Sequence, residues 1–557
     1  MKDEGERTGD EAAEARTEKL LAEGDSLPSS GVDDSFHPSV FKLHPSSHLR
    51  PSLRSFILAL ALGAVSVLGF SPFDLFFIPF ATLGVLFWLW RRAANPLAAG
   101  LIGFVFALGL FGAGVSWLYI SLHDFGGMPA PVAVISVFGL CAYMALFPAF
   151  AGWLAAKSAG KSAPGFALAA AAAWTLSEWA RSWLFTGFPW LTIGYSQVPW
   201  SPLAGLAPLG GVYAISFATA LTAALLAVLP AWKKARPNAG FILAPVLALL
   251  LLVSLGLKRL EWTEPAGEPL TVSLLQGNIA QALKFAPGRL DQQLRTYYDL
   301  AMASPSRLII MPETAFPILA RDVPPDLLAS LRAHVADIQG DVIYGVAEAS
   351  ASNGATDYYN SVMSVGANPA QVYRKVHLVP FGEFVPPLFG WVLKVLHIPM
   401  SDFSRGARIQ EPIRAAGERL AIGICYEDVF GEEVIRQLPD ATLLVNISND
   451  AWFGERIAPW QHTQIAQTRA METGRFMLRA TNTGVTSIID WHGKLIASLP
   501  QLTTDALHGT VRGRTGATPF VIYGNAPIVA LCLALLAGLW VLRRRAGQVA
   551  TPYGERA

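Results

Sequence analysis

Three short polar clusters in the second half of the chain hold a thiol, a carboxylate and an amine. Cys425 follows the apolar run RLAIGI, Glu313 lies in MPETAFP, and Lys375 lies in YRKVHLVPFGEFVP. A thiol with a reference pKa of about 8.5 is mostly protonated at neutral pH, so a neighbouring carboxylate can take its proton as it attacks a carbonyl. A fixed lysine ammonium can stabilise the oxyanion that forms. The three residue types therefore suit acyl-transfer chemistry.

The three cysteines of the chain lie in different surroundings. Cys141 and Cys532 fall inside long apolar segments, where a small polarizable residue usually packs. Cys425 taken alone could be a buried core cysteine, but it ends a strand-like run and precedes Tyr426 and Glu427. Because α/β domains commonly place their active sites at such strand ends, we expect Cys425 to be reactive. Three cysteines cannot form a disulfide framework.

Two histidines are further candidate bases. Glu313 already fills that role, so we expect His377 and His462 to be structural. Residues 258–518 contain one cysteine, no His/Cys spacing of the zinc type, and no Walker or dinucleotide glycine motif. The sequence therefore predicts no metal and no cofactor.

Short β-rich runs alternate with helix-like segments around these clusters. The runs include TVSLLQGN, RLIIMPE, DVIYGVAE, RLAIGICYE and TLLVNISND, and the helix-like segments include DQQLRTYYDLAMA and PWQHTQIAQTRAMETGRF. Strands that alternate with helices indicate a layered α/β domain. We place this domain at residues 258–518.

Long apolar runs dominate the rest of the chain. Of 557 residues, 52% are hydrophobic and 15% are charged, whereas about 25% are charged in an average soluble domain. Runs of about 20 apolar residues span a bilayer. We predict eight spans, at residues 55–71, 74–90, 97–119, 130–154, 164–184, 203–230, 239–257 and 522–542. The first two are short and separated by SPFD, so a re-entrant pair is an alternative.

The distribution of charge predicts orientation and partners. With an even number of crossings, Lys and Arg cluster in four loops on one side, and such loops favour the cytoplasm. Both termini are then cytoplasmic and the α/β domain is extracytoplasmic. The net charge of +1 excludes nucleic-acid binding through a basic surface. The remaining domains are a disordered acidic cytoplasmic tail (1–54), a membrane domain of about seven spans (55–257), a C-terminal transmembrane helix (519–545) and a cytoplasmic tail (546–557).

The fifth predicted span carries two charges near its end. Glu178 and Arg181 lie three residues apart, on one helical face, where they could pair. We expect them to fix the loop that follows the span, and contact with lipid headgroups is the alternative.

The spacing of Glu313, Lys375 and Cys425 resembles the Glu-Lys-Cys triad of the nitrilase, or carbon-nitrogen hydrolase, superfamily. Longer motifs narrow the resemblance to the apolipoprotein N-acyltransferase family, over about residues 55–545. These motifs are QGNIAQALKF, MPETAFP, RKVHLVPFGEFVP, ICYEDVFGEEVIR, NISNDAWFG and RAMETGRFMLRATNTGVTSIID. The resemblance implies a multi-pass α-helical membrane domain and an extracytoplasmic α-β-β-α sandwich.

The resemblance also implies roles for single residues. Glu313 would be the general base, Lys375 the oxyanion-stabilising cation, and Cys425 the nucleophile that becomes a thioester. Glu383, in FGEFVP, would help to position the lysine and the acyl carbonyl, or would serve only as a salt-bridge partner.

Further residues are implied to support the cysteine or to contact the substrate. Tyr426 and Glu427 correspond to residues that the family needs beside its cysteine. The candidate substrate-binding residues are Phe285, Trp452 and Phe453. Phe285 departs from the family pattern, because many members have tryptophan there, and phenylalanine lacks the indole donor.

The implied reaction moves the sn-1 acyl chain of a phospholipid, typically phosphatidylethanolamine, to the N-terminal amine of a diacylglyceryl-cysteine lipoprotein. The implied protein is a monomer in the inner membrane of a two-membrane bacterium, with its catalytic domain in the periplasm. Segments 384–400 and 451–454 would be lids that lie on lipid, or ordinary core.

Two other functions are weighed against this one. A membrane-tethered nitrilase-type amidase would pass the acyl group to water. A transporter with a soluble appendage would need intramembrane charges along a path, and Glu178 and Arg181 are too few to form one.

Overall fold

The computed structural model describes residues 52–158, 162–352, 355–384 and 402–549. Three predicted segments lie outside these ranges, wholly or in large part. They are the N-terminal tail up to residue 51, the candidate lid from residue 385 to residue 400, and residues 550–557 of the C-terminal tail.

Long helices occupy all eight of the predicted apolar segments. They are α1 (Leu53–Ser66), α2 (Ile78–Arg92), α3 (Pro96–Gly114), α4 (Ala130–Ser158), α5 (Ala163–Arg181), α6 (Ala207–Ala235), α7 (Ala239–Lys258) and, at the C-terminal end, α11 (Ala526–Val549). In the described part of the chain, five are long and apolar enough to cross a membrane, namely α3, α4, α6, α7 and α11. Eight crossings stay a prediction, as does a re-entrant pair of α1 and α2, which have 14 and 15 residues.

Small residues let the apolar helices pack closely. A Cβ atom on Gly63 of α1 would lie 1.8 Å from the carbonyl oxygen of Phe106, and one on Gly109 of α3 would lie 2.0 Å from that of Leu60. The backbones of α1 and α3 therefore touch where they cross. Such contacts compensate for the weak hydrophobic drive between helices in lipid.

Strands and three further long helices form the α/β domain. The helices are α8 (Leu290–Met302), α9 (Pro325–Ala336) and α10 (Ala458–Thr473). The strands are β1 (Glu264–Pro265), β2 (Leu270–Gln276), β3 (Leu308–Ile310), β4 (Phe316–Leu319), β5 (Asp341–Ser352), β6 (Ala355–Gly366), β7 (Val372–Arg374), β8 (Ile413–Ala415), β9 (Glu418–Ile424), β10 (Leu443–Ser448), β11 (Met477–Thr481), β12 (Ser487–Ile489), β13 (Leu495–Ser498), β14 (Asp505–Val511) and β15 (Arg514–Thr515). All five predicted β-rich runs and both helix-like segments are confirmed.

Two sheets build the core of this domain. One runs β14-β2-β3-β5-β6-β7 with β4 beside β5, and the other runs β13-β12-β11-β10-β9-β8. Each sheet contains parallel pairs, for example β9 with β10 and β2 with β3, and antiparallel pairs, for example β5 with β6. One apolar cluster joins the facing sides of both sheets, while α8 and α9 cover the first sheet and α10 covers the second. This arrangement is the predicted α-β-β-α sandwich.

Helix α10 is polar in sequence and yet buried on every side. Apart from Trp460, its side chains are all buried. Ala466 and Ala470 pack on the second sheet, while polar groups face the membrane helices. Gln461 accepts hydrogen bonds from the indole N–H groups of Trp117 (3.2 Å) and Trp190 (2.7 Å). Hydrogen bonds of α10 therefore join the α/β domain to the apolar helices and their loops, which are called the helical part below.

Glu178 and Arg181 lie at the end of α5 and hold the loop that follows. Glu178 Oε1 accepts from the backbone N–H of Ile193 (2.7 Å), and Arg181 donates to the carbonyl oxygens of Phe188 and Trp190. No direct ion pair joins the two side chains within the described residues. The expected pair is replaced by bonds from each side chain to the loop.

Candidate active site

Cys425 stands on a turn directly after β9. Its φ of +52° lies in the left-handed region, which costs a non-glycine residue on the order of 1 kcal/mol or more. Its carbonyl oxygen accepts hydrogen bonds from Asn446 Nδ2 (3.0 Å) and His462 Nε2 (3.2 Å). These two side chains hold the turn that carries the thiol.

Lys375 lies between two carboxylates. Its Nζ donates to Glu383 Oε1 at 2.9 Å and to Glu313 Oε1 at 3.4 Å. Asn360 Nδ2 donates to the same two oxygen atoms, at 2.8 and 2.7 Å. Burial alone would lower the pKa of Lys375, but the charges of Glu383 and Glu313 outweigh it and raise the pKa. The lysine therefore stays cationic.

Glu313 is fixed through both of its carboxylate oxygens. Oε1 faces the lysine, and Oε2 accepts from the backbone N–H of Asn449 at 2.9 Å. The side chain is buried, 7% exposed, at the turn after β3. Glu313 and Lys375 are thus in direct contact.

The thiol of Cys425 lies in the field of both charges. Burial is the largest cause that raises its pKa, the Glu313 carboxylate raises it further, and the Lys375 charge opposes the rise. A neutral thiol at rest must lose its proton during attack, so this environment requires a base. The Glu313 carboxylate, the candidate base, is close enough to raise the pKa of this thiol.

Glu427 connects the strand end that bears Cys425 to the segment that follows Lys375. Its Oε2 accepts from the backbone N–H of Ile424 (2.8 Å), and its Oε1 accepts from those of Val376 (2.6 Å) and His377 (3.1 Å). The Tyr373 hydroxyl donates to both oxygens at 3.2 Å. Burial raises the pKa of Glu427 to about 7, although these N–H groups oppose the rise. Through these bonds Glu427 positions the backbone before Cys425 against the backbone after Lys375. The family resemblance named Glu427 but did not specify this role.

Tyr426 points toward the helical part of the chain. Its hydroxyl donates to the carbonyl oxygen of Gly187 at 3.1 Å, and its ring stacks on Phe188 at 6.0 Å. It is therefore a contact between the turn beside the thiol and the loop after α5.

The three candidate substrate-binding aromatics occupy two places. Phe453 packs edge-on against Trp117 at 4.6 Å, and the carbonyl oxygen of Trp452 accepts from the Ser121 hydroxyl at 2.7 Å. Segment 451–454 thus lies on the loop after α3. Phe285 is 41% exposed and ends the short turn Gln281–Lys284.

Lys284 is a second buried lysine of the site. The sequence did not predict its place there, although it lies in the motif QGNIAQALKF. Lys284 Nζ donates to the carbonyl oxygen of Glu313 at 3.2 Å. Burial lowers the pKa of Lys284 to about 8, while Glu313 and Cys425 oppose that change. Glu313 is therefore contacted by two lysine amines, at its backbone carbonyl oxygen and at its carboxylate.

A buried charge network lies behind the Cys425 turn. His462 Nε2 donates to Asp428 Oδ1 at 2.7 Å, and the Arg479 guanidinium bonds Asp428 (3.2 Å) and Asp450 (3.0 Å). Burial and Arg479 would lower the pKa of His462, but the two aspartates outweigh them and raise it. Across the described ranges, no three His, Cys, Asp or Glu side chains are arranged to hold a metal ion.

His377 lies apart from that network, at the edge of the site. Its ring is half-buried and stacks on Phe430 at 3.6 Å. Its Nδ1 lies 3.4 Å from a Glu433 carboxylate oxygen.

Two family models match the two parts of the chain. Residues 271–520 match carbon-nitrogen hydrolase, and residues 62–225 match the apolipoprotein N-acyltransferase N-terminal domain. The fold and site thus define a carbon-nitrogen hydrolase domain attached to apolar helices. An apolipoprotein N-acyltransferase of Nitrosomonas europaea is 53% identical over 86% of this chain and 96% of its own length. The chain therefore belongs to the apolipoprotein N-acyltransferase family.

Other similar proteins carry related descriptions. An apolipoprotein N-acyltransferase of Methylococcus capsulatus is 42% identical over 88% of this chain and 97% of its own length. A solved carbon-nitrogen hydrolase of Helicobacter pylori G27 is 16% identical, covers 44% of this chain and 89% of that chain, and has a TM-score of 0.33.

Proposed function

We propose that the chain transfers the sn-1 acyl chain of a phospholipid to the N-terminal amine of a diacylglyceryl-cysteine lipoprotein, through a thioester on Cys425. The observation that carries this proposal is the contact of buried Lys375 with the carboxylates of buried Glu313 and partly exposed Glu383, beside the strand end that bears Cys425 in a domain bonded to apolar helices. The family membership supports the same activity.

In the first half-reaction, Cys425 attacks the sn-1 ester carbonyl and Glu313 takes the thiol proton. The negative charge that develops on the carbonyl oxygen is stabilised by Lys375. When the ester C–O bond breaks, Glu313 returns the proton to the leaving glycerol oxygen. The products are the thioester and a lysophospholipid.

In the second half-reaction, the α-amine of the lipoprotein attacks the thioester carbonyl. An α-amine has a reference pKa of about 7.7 to 8.0, against about 10.4 for lysine, so far more of it is neutral at pH 7. Glu313 takes a proton from the attacking nitrogen and passes it to the departing sulfur. An amide forms and Cys425 is regenerated, so ping-pong kinetics are expected.

Supporting residues act by holding this geometry. Glu383 accepts from the backbone N–H of Val379 (2.8 Å) through Oε2 while Oε1 holds Lys375, so it fixes the lysine and also pairs with it. Trp452, Phe453 and Phe285 would contact the acyl chains. Phosphatidylethanolamine is the proposed donor.

The proposed topology follows the loop charges. Residues 258–518 form the catalytic domain in the periplasm, and both termini lie in the cytoplasm. The protein is proposed to act as a monomer in the inner membrane, with eight spans.

The test is intact mass of the detergent-purified protein after incubation with phosphatidylethanolamine alone. Wild type should gain a fatty-acyl mass that hydroxylamine removes, and Cys425→Ala should gain none. If wild type forms no adduct but hydrolyses a small amide through Cys425, the membrane-tethered amidase is the correct function.

A further inference from the structure

A cavity of about 460 Å³ lies where the α/β domain meets the C-terminal end of α5, the first turns of α6 and the segment just before α11. This volume is in the range of about 300 to 1,000 Å³ that is typical of small-molecule sites. Its wall includes the aromatic side chains of Trp183 and Phe430 and six charged side chains, namely Arg405, Glu432, Glu433, Arg436, Arg469 and Glu472. Glu433 and Arg436 pair with each other at 3.3 Å.

Two charged side chains of α10 line the cavity with unfilled hydrogen-bonding capacity. Arg469 Nη2 donates to Glu472 Oε1 at 2.9 Å, and both residues are at most 1% exposed. The same Oε1 accepts from the N–H of Val212, where Gly211 (φ +65°) breaks α6. Arg469 Nε and Glu472 Oε2 have no hydrogen-bond partner among the described residues. Since leaving buried polar atoms unpaired is unfavourable, this wall is suited to a ligand with both an acceptor and a donor.

Two further charges of the wall lack an opposite charge. Within the described ranges, neither Arg405 nor Glu432 has an ion-pair partner within 4.0 Å. The Arg405 guanidinium lies over the Phe384 ring at 5.1 Å, and Glu432 Oε1 accepts from the backbone N–H of Asn525 at 3.1 Å. Arg405 and Glu432 thus offer a ligand one cation and one anion that have no ion-pair partner among the described residues.

The balance of charges decides which ligand fits. A simple anion would meet Glu432 and Glu472, and a simple cation would meet Arg405 and Arg469. A zwitterion can face each group with the opposite charge. The phosphate and ammonium of an ethanolamine phospholipid headgroup have this pattern.

The surroundings of the cavity suit a lipid. Trp183 is 52% exposed at the end of α5, and Ile522 and Tyr523 are about as exposed near the start of α11. Tryptophan and tyrosine are enriched at the boundary between lipid and water. A headgroup in the cavity would therefore lie at the level where its acyl chains can enter lipid.

The cavity is also close to the residue that follows the thiol. His377 and Phe430, both in its wall, stack on each other at 3.6 Å. The Tyr426 ring packs edge-on against Phe430 at 5.1 Å. One aromatic side chain therefore links the cavity wall to the Cys425 turn.

We propose that this cavity binds the headgroup of a zwitterionic aminophospholipid, with the phosphate beside Arg405 and Arg469 and the ammonium beside Glu432 and Glu472. The lipid held there is the acyl donor, and in this respect the proposal rests on the proposed function. The cavity thereby selects the donor by its headgroup.

Binding is tested without chemistry, on the full-length Cys425→Ala protein in detergent. Native mass spectrometry measures retention of phosphatidylethanolamine and phosphatidylglycerol with matched acyl chains. We expect preferential retention of phosphatidylethanolamine, and Glu432→Gln, which keeps an acceptor for Asn525, should lower that preference about tenfold. Arg405→Gln should weaken retention of both lipids. Glu268→Gln, an exposed residue outside the cavity, is the matched control and should change neither.

Two results would overturn the proposal. One is equal retention of the two lipids, or a preference that survives Glu432→Gln. The other is displacement of phosphatidylethanolamine by inorganic phosphate at the concentration of the lipid, which would assign the cavity to a free anion. If Glu432→Gln fails to fold, the proposal is tested by the retention of both lipids in Arg405→Gln, since Arg405 is exposed. Unchanged retention in that variant would overturn the proposal.

The thioester assay on proteins that retain Cys425 separates the two proposals. If proteins with Cys425 form no thioester while Cys425→Ala still prefers phosphatidylethanolamine, the proposed function is refuted and the headgroup site is not. A normal thioester whose rate is equal for both headgroups refutes the site and leaves the function standing.

Discussion

Replacing Glu427 with glutamine removes charge and one acceptor while it keeps the size of the side chain. The carboxylate accepts three backbone N–H groups and one hydroxyl within 3.2 Å. A carboxamide has only one acceptor oxygen. If that oxygen stays with Val376 and His377, the amide N–H₂ faces the N–H of Ile424, which then has no acceptor.

The size of the effect follows from these bonds. An unsatisfied buried N–H costs about 1 to 3 kcal/mol, and the remaining bonds weaken because their acceptor is now neutral. We expect Glu427→Gln to lower the free energy of unfolding by about 3 kcal/mol. Ile424 directly precedes Cys425, and a shift of about 1 Å at a reacting atom can cost about 10²-fold in rate.

The assay is the single-turnover rate of Cys425 acylation, measured on protein that elutes as a folded species. Glu427→Gln should acylate about 100-fold more slowly than wild type. Tyr373→Phe removes one shared hydroxyl and leaves the three N–H bonds, so its rate should stay within about tenfold. Glu268→Gln is again the exposed control. A folded Glu427→Gln protein that acylates within threefold of wild type would refute the positioning role.

Three further predictions rest on single side chains. Lys375→Met should reduce acylation by about 10²- to 10³-fold, and Lys375→Arg should not restore it, because a planar fork does not replace a compact ammonium; restored turnover in the arginine variant would contradict this. Burial holds the pKa of Lys284 at about 8, below its ordinary 10.5. Between these two pH values the unfolded state binds more protons than the folded state, so the free energy of unfolding rises with pH. The melting temperature of wild type relative to Lys284→Met should therefore increase from pH 8 to pH 9.5, and a difference that does not change with pH would contradict this prediction. Arg181→Ala should speed proteolysis of the loop after α5, because carbonyl groups of that loop lose their donor; unchanged cleavage and unchanged acylation would remove the anchoring role.

Local sequence patterns predicted the elements and the strand-end clusters. Apolar runs located the eight helices, and β-rich runs located the strands after which Glu313 and Cys425 lie, because these features depend on neighbouring residues. The contact between Lys375 and Glu383 joins positions eight residues apart. Both roles weighed for Glu383, positioning of the lysine and salt-bridge pairing alone, require this contact, and the structure shows the pairing.

Features that depend on distant residues were not predictable. The bonds from Glu427 to Val376 and His377 join segments about 50 residues apart, and no local pattern marks them. Glu178 and Arg181 have the spacing of a helical pair, but the folded-back loop offers each a backbone partner. The polar sequence of α10 is typical of a solvated helix, and only the fold shows that it is buried.

The burial of α10 has a consequence for how the protein can be divided. Gln461 and Glu472 lie on a helix of the catalytic domain, but they bond groups that belong to the apolar helices or their loops. A fragment cut at residue 258 would expose these polar groups together with the apolar side chains beside them. Removing the apolar helices therefore does not yield a soluble catalytic domain, since these helices also bury one side of α10.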